Sequence, residues 1–305
     1  MPRICYRSVN FSAASLAVIS AANAILQEYV VRAIVVTLRQ LYYQFVVRDL
    51  LPNRQSEYKR LGSIINDARM AGLIDWNYLQ DRTRNLARLP HWDDPGDIIH
   101  SAADSYHRDL WQSQNNYVEV WIEKDALVGV IESVCEQYDV PYFSCRGYTS
   151  QSEMWGTGQR LSRRIEQGQT VHIIHLGDHD PSGLDMSRDI KARLEIFLGR
   201  RSDSLQFHRI ALHIGQVRRY SPPPNPANVT DSRAEAYMAL FGSESWELDA
   251  LDPDVLTDLI RDNTLAYLDL DLWEEQRRRQ ESEREVLTKA SRKWPQVATF
   301  LKTLK

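Results

Sequence analysis

The chain is poor in cysteine, has no long apolar run and carries no phosphate-binding glycine loop, and each absence narrows what it is. Its three cysteines, Cys5, Cys135 and Cys145, are odd in number, far apart and in no metal-ligand spacing. That argues against a disulfide framework or a zinc site and points to a reducing, cytoplasmic setting. No apolar run reaches the ~18 residues needed to span a bilayer. The weakly apolar stretch 11–25 lacks the cationic lead-in of a signal peptide, so it is expected to be a helix of the folded protein, with no membrane partner. No G-x-x-x-x-G-K-[ST] is present, so any ATP dependence would come from another chain. There is no internal repeat and no low-complexity tract.

What is present is the composition of a soluble globular protein, 43% hydrophobic and 26% charged, with 305 residues giving room for two domains. The net charge of −4 is unevenly spread. Residues 1–95 hold 12 Lys/Arg against 8 Asp/Glu, and the remainder holds 25 against 33. A basic front half and an acidic back half suit a protein that grips phosphates with one and a metal with the other.

Residues 170–185, TVHIIHLGDHDPSGLD, organise the rest. The β-branched run 171–176 has the length and composition of a buried parallel strand. It stops at Gly177, and Asp178 and Asp180 follow. Residues two apart in extended chain point to one side, so both carboxylates are expected to project from the strand's C-terminal end, where ligands bind in open α/β sheets. Pro181 and Ser182 then start a helix running to 198. Two such carboxylates repel unless a cation lies between them, and all-oxygen ligands suit Mg²⁺. A second apolar run, 118–122, ends in Glu123-Lys124-Asp125 and leads into a helical pattern over 126–138. Glu123 therefore joins Asp178 and Asp180 if the two strands are neighbours. The plain alternative is that the aspartates cap a helix and Glu123 is a solvated strand end. The imidazole of His179, between the acids, is open to two readings, a phosphate contact or simple exposure.

Ahead of this unit, apolar spacing predicts helices over 9–31, from the N-cap Thr37 to Pro52, and over 56–72. The third has Leu61, Ile64, Ile65 and Ala68 on one face, Lys59, Ser63 and Asn66 opposite, and Arg60 alongside. Residues 76–88 read as a short strand or wing carrying Arg82, Arg84 and Arg88. Three helices with a basic tail fit a winged helix-turn-helix that offers Lys59, Arg60 and Asn66 to double-stranded DNA. A small helical bundle with a solvated polar face fits equally. In the second helix Arg39 and Tyr43 share a face. A tyrosine oxygen can act as a nucleophile, and a nearby guanidinium favours the phenolate and holds phosphate.

Strand-Glu-helix followed by strand-Asp-x-Asp resembles the Toprim domain of topoisomerases, primases and nucleases. With an R-x-x-Y-Y helix upstream of the GDxDPSG loop, residues 35–200 resemble the A subunit of topoisomerase VI, a type IIB enzyme, and the related meiotic double-strand-break protein. The resemblance implies that Tyr43 attacks the DNA backbone with Tyr42 as its structural neighbour. It also implies that Glu123, Asp178 and Asp180 bind Mg²⁺, and that a homodimer pairs the tyrosine of one copy with the acids of the other to make a double-strand break. His179 stands where that family has a small residue or proline. The chain is also shorter than typical A subunits and looks like a reduced, stand-alone form, which bears on whether it uses the family's separate ATPase subunit.

The domains expected are 1–95, a winged-helix DNA-binding domain; 96–116, a connector in which the break Pro95-Gly96-Asp97 is followed by a helix to about Ser113; and 117–305, a Toprim domain with a C-terminal helical extension. Within the last, a strand at 141–144 leads to a loop where Arg146 and Ser150 are expected to face the same sheet edge as the acids, either as phosphate contacts or simply as loop structure. A helix over 153–167 and a strand over 205–212 continue the βα alternation, which predicts a mainly parallel sheet. SPPPNP, 221–226, is expected to be extended. The charged run 274–285 is expected to be a solvated helix face. The predicted activity is DNA cleavage by Tyr43 with Arg39 and Glu123. The competing readings are a Toprim nuclease using metal-bound water and a DNA-binding protein without catalysis.

Overall fold

Caps and apolar spacing account for the helices of the first eighty residues. The computed structural model describes residues 3–32, 34–79 and 89–304. Ser12 accepts the Ser15 amide and opens α1, Ala13–Val31, later than the 9–31 pattern suggests. Thr37 and Gln40 form a reciprocal capping box at the start of α2, Leu38–Val47. α3 spans Gln55–Met70 and buries Leu61, Ile65 and Ala68. These helices share one core with Ile19, Leu26, Leu41 and Phe45. By length and composition alone α1 could cross a bilayer, but here Ile19, Ala22, Ile25, Leu26 and Tyr29 pack into that core. Residues Trp76–Tyr78 form a single 3-10 turn, and Leu79 makes an isolated bridge to Val36. The strand or wing predicted from 76 is therefore a turn as far as Leu79. Arg82, Arg84 and Arg88 lie outside the described residues.

Asp94 caps α4, Pro95–Ser105, by accepting the Gly96 and Asp97 amides. The helix ends well short of Ser113, because Tyr106 turns extended and both its hydroxyl and the Arg108 guanidinium are drawn to Glu283.

The remainder alternates strand and helix: β1 Asn116–Ile122, α5 Val128–Gln137, β2 Tyr142–Ser144, α6 Gln151–Glu166, β3 Thr170–Leu176, α7 Pro181–Leu198 and β4 Leu205–Ala211. The result is an α/β protein, in which N-terminal helices precede a four-stranded parallel sheet of order β2-β1-β3-β4 flanked by helices. The two central strands, β1 and β3, are buried almost throughout, which is why both read as near-continuous apolar runs. Three polar exceptions in that core are satisfied, His175 by Ser187 and Cys145. Buried Glu119 accepts from Tyr117, Trp121 and Arg160, and His172 meets Asn116 and His208.

β1 and β3 pair in parallel from Asn116↔Thr170 to Ile122↔Leu176, so they end level. Beyond β4 come α8 Ile214–Tyr220, β5 Asn225–Pro226, α9 Ala234–Phe241, β6 Glu244–Ser245, α10 Pro253–Leu265, α11 Leu270–Arg292 and α12 Trp294–Thr303. In the proline segment Ser221 is left-handed, ending α8, and Asn225–Pro226 is strand, with Asn225 paired to Ser245. The charged run lies within α11, which packs against α4 and buries only Trp273 and Gln280. A second core, with Val120, Trp121, Ile173, Ile174, Leu194 and Leu256, lies around the sheet.

Candidate active site

Because β1 and β3 end level, Glu123 stands against Gly177 and Asp178, as expected if their strands are neighbours. Its amide donates to the Leu176 carbonyl at 2.9 Å, and its Oε2 accepts the Asp178 amide at 2.9 Å. A Cβ on residue 177 would lie 2.7 Å from that oxygen, so any other residue there would displace the carboxylate. The two aspartates share the loop but not a direction. Asp178 points inward, with Oδ1 accepting the Leu248 amide at 2.7 Å and Oδ2 3.0 Å from Lys124 Nζ. Asp180 caps α7 through the Gly183 amide at 2.6 Å. Arg209, from β4, ties the loop down by donating to the carbonyls of Gly177, Asp178 and Gly183 at 3.0, 2.5 and 3.1 Å. Burial, then the charges of Asp178 and Asp180, hold the Glu123 carboxyl well above the usual carboxylate range. Burial also raises Asp178, against the pull of Lys124.

Lys124 is the hub of a buried charge network. Its Nζ lies 3.0 Å from Asp178 Oδ2, 2.9 Å from Glu247 Oε2 and 3.0 Å from Asp249 Oδ1. Burial works against the ammonium, but Asp178, Asp249 and Glu247 together raise its pKa. Arg39, from α2, reaches the same acids, with Nη2 2.6 Å from Glu247 Oε2 and Nε 3.4 Å from Asp249 Oδ2. Asp249 is 2% exposed, and its two oxygens meet these cations without hydrogen-bond geometry. Asn225 Nδ2 donates to Glu247 Oε1 at 3.2 Å and to Tyr43 Oη at 3.4 Å. A run of polar contacts thus leads from Tyr43 through Asn225, Glu247 and Lys124 to Asp178 of the same chain. Tyr43 is 3% exposed, and burial followed by the Glu247 charge pushes its phenol up to about 12.

Beside this network is a cavity of about 810 Å³ between α3 and the sheet's C-terminal edge. Arg39, Tyr58, Asn66, Glu123, Lys124 and Arg146 are among its lining residues, and buried Tyr43 is not. Arg146 is largely exposed, 3.5 Å from Asp125, and Ser150 caps α6. Lys59 and Arg60 are exposed on α3, with Arg60 paired to Glu57 at 2.7 Å. Tyr42 is structural: its hydroxyl accepts the Arg54 amide at 2.7 Å and contacts the Pro52 carbonyl at 3.1 Å. His179 fits neither reading of it. It is 1% exposed, its Nδ1 lies 2.9 Å from Tyr237 Oη, its backbone pairs with Trp246, and Phe241 and Trp246 pack edge-on to its ring. It anchors the acidic loop to the chain at the end of β6.

Lys124, Arg209, Asn225, Glu247 and Asp249 were not singled out from the sequence. The acid-x-acid spacing of Glu247-Leu248-Asp249 repeats that of Asp178 and Asp180, and is the signal that could have found two of them.

An all-oxygen donor set suits Mg²⁺, and the raised pKa of Glu123 marks a place where a cation would relieve repulsion. Among the described residues, however, no three His, Cys, Asp or Glu side chains converge as ligands. Asp178 is committed to Lys124, whereas Glu123 and Asp180 have no ion-pair partner there and fit a cation in chemistry. No protein-family model and no curated protein matches the chain.

Proposed function

We propose that this protein cleaves DNA by Mg²⁺-dependent transesterification, in the manner of a topoisomerase VI A subunit. It would have a winged-helix domain over 1–95, a connector over 96–116 and a Toprim domain over 117–305. The observation that carries the reading is that α2 brings Arg39 to Glu247 and Tyr43 to Asn225, one step through Glu247 from Lys124 at the end of β1. Tyr43 Oη bonds to a backbone phosphorus as the bond to the 3′-oxygen breaks, leaving a 5′-phosphotyrosyl protein and a 3′-hydroxyl. The phenolic proton is replaced, in net, on that hydroxyl. Glu123, which lines the cavity, would relay it through its carboxylate. Mg²⁺ bound at Glu123, Asp180 and a released Asp178 would offset phosphate charge in the transition state. Because the ester conserves the bond energy, the step can run backwards.

Tyr43 is buried in this arrangement, so α2 must part from the 247–249 turn before a duplex reaches it. The freed Arg39 then faces phosphate, with Asn66, Lys59, Arg60 and Arg146 along the duplex. Opening leaves Tyr43 available to a second copy's acids, which suits a homodimer that cuts both strands. A separate ATPase subunit and a cytoplasmic, DNA-associated location go with the same reading. The burial and raised pKa of Tyr43 favour one competitor, a nuclease in which water attacks. Supercoiled plasmid incubated with Mg²⁺, with and without protease, separates them. Wild type gives breaks carrying protein, and Tyr43→Phe gives none while Tyr42→Phe still does. Protein-free breaks that survive Tyr43→Phe establish the water reading, and DNA binding without breaks leaves a non-catalytic DNA-binding protein.

A further inference from the structure

The cavity between α3 and the sheet's edge is lined by four cations, and three of them are answered by acids. Arg39 pairs with Glu247, Lys124 with Asp178, Glu247 and Asp249, and Arg146 lies 3.5 Å from Asp125. Arg69, half-buried on α3, has no carboxylate partner among the described residues. Its guanidinium is nonetheless fixed. Nη2 donates to the Trp76 and Leu79 carbonyls at 2.8 and 3.3 Å, and the guanidinium carbon lies 4.4 Å from the centroid of the Trp76 ring. Nη1 makes no hydrogen bond among the described residues, and burial disfavours the charge with no acid to offset it. One turn earlier on the same helix, Asn66 lines the cavity, is exposed and makes no hydrogen bond among the described residues.

A held guanidinium with a free N–H is a ready anion contact, and phosphate is an anion that arginine suits. The cavity, about 810 Å³, has the size of a small-ligand pocket. Tyr58, Ile65 and Leu79 give it an apolar surface for a flat ring, and the Asn66 amide offers a donor and an acceptor to a ring edge. Acids at the strand ends repel phosphate but accept from sugar hydroxyls. We infer that the cavity binds a nucleoside phosphate, with the phosphate on Arg69, the base against Tyr58, Ile65 and Leu79, and Asn66 at the base edge. A free mononucleotide and a single nucleotide unstacked from a strand present this same chemistry. Because α2 and α3 supply one side of the cavity and the strand ends the other, a bound nucleotide selects the arrangement in which they meet. On the cleavage reading it therefore opposes exposure of Tyr43; the binding itself does not depend on that reading.

The test is calorimetric titration of the full-length protein in magnesium-free buffer. The ligands are the adenosine, guanosine, cytidine and thymidine monophosphates, the parent nucleosides, inorganic phosphate and a short single-stranded oligonucleotide. At least one monophosphate is expected to bind one to one and to raise the melting temperature, with its nucleoside and inorganic phosphate each weaker by about tenfold or more. Arg69→Gln is expected to cost that same factor. Asn66→Ala, which removes an unbonded side chain, is expected to weaken binding several-fold without lowering the melting temperature of the free protein. If Arg69→Gln does not fold, Asn66→Ala decides alone. No binding of any monophosphate at millimolar concentration, or affinity unchanged in the folded variants, overturns the inference. An oligonucleotide that binds more tightly with the same dependence on Asn66 and Arg69 assigns the site to a nucleotide of a strand, and one that binds no better assigns it to the free nucleotide. Nucleotide binding by a protein that leaves plasmid uncut removes the cleavage reading and keeps this site; cleavage without nucleotide binding does the reverse.

Discussion

Side chains that hold the site in shape are separable from those that would act in it. Arg209 spends its guanidinium on loop carbonyls and His179 lies in an aromatic box, so both set the position of Asp178 without facing the cavity. Two further histidines of β3 are buried as neutral rings. Burial, and then His208, lowers His172 to about 4, and burial, and then Arg209, lowers His175 to about 3. Unfolded histidine titrates near 6.5, at roughly its reference value. As pH falls below that point the unfolded chain binds protons that the folded one refuses. Stability is therefore full above the unfolded pKa and drains as pH drops. Between about pH 7.5 and pH 5 the buried rings withdraw stability on the order of 1–2 kcal/mol, while the raised Glu123 and Asp178 carboxyls act in the opposite sense, so the melting temperature of wild type should fall relative to that of His172→Gln over this range. An equal fall in the variant would assign the acid sensitivity elsewhere. The neutral state of these rings was not legible beforehand, because an apolar run does not say which face a histidine meets.

Among the elements, the acidic loop and α7 behave as one piece. Gly183 is in the first turn of that helix, and a Cβ there would lie 2.4 Å from the Asp178 carbonyl and 3.1 Å from Glu123 Oε2. Alanine normally favours a helix over glycine by roughly 1 kcal/mol. Here it must push back backbone, and overpacking of that kind costs about 1–3 kcal/mol. Gly183→Ala should thus lower the melting temperature and displace Asp178; a variant more stable than wild type would refute the packing. This part of the site was readable: the apolar runs of β1 and β3, the stop at Gly177 and the proline start of α7 each carry a local signal. The prediction that Asp178 and Asp180 share a direction failed in part, because the cap of α7 claims Asp180. The strand expected from 76 became a turn, where Asp75 caps and Arg69 holds the Trp76 carbonyl.

At the scale of the whole molecule, two cores meet through polar contacts. Tyr29 donates to Asp252, Arg32 pairs with Asp254, Arg39 with Glu247, and Asn53 donates to Asn225. These pairs join residues about two hundred apart, so no spacing rule could have found them, whereas the βα alternation of the sheet was legible throughout. Hydrogen-bonded charges on a partly hydrated surface can exchange protein partners for phosphate at modest cost, unlike an apolar seam. The proposed opening would trade such contacts around Tyr43 for phosphate. The most direct test traps the protein on plasmid with Mg²⁺, trims the DNA with nuclease and maps the tryptic peptide of residues 40–48 by tandem mass spectrometry. A nucleotide phosphate on Tyr43 is the expected result. Cleaved DNA with that peptide unmodified, or the mass on another residue, would contradict the account.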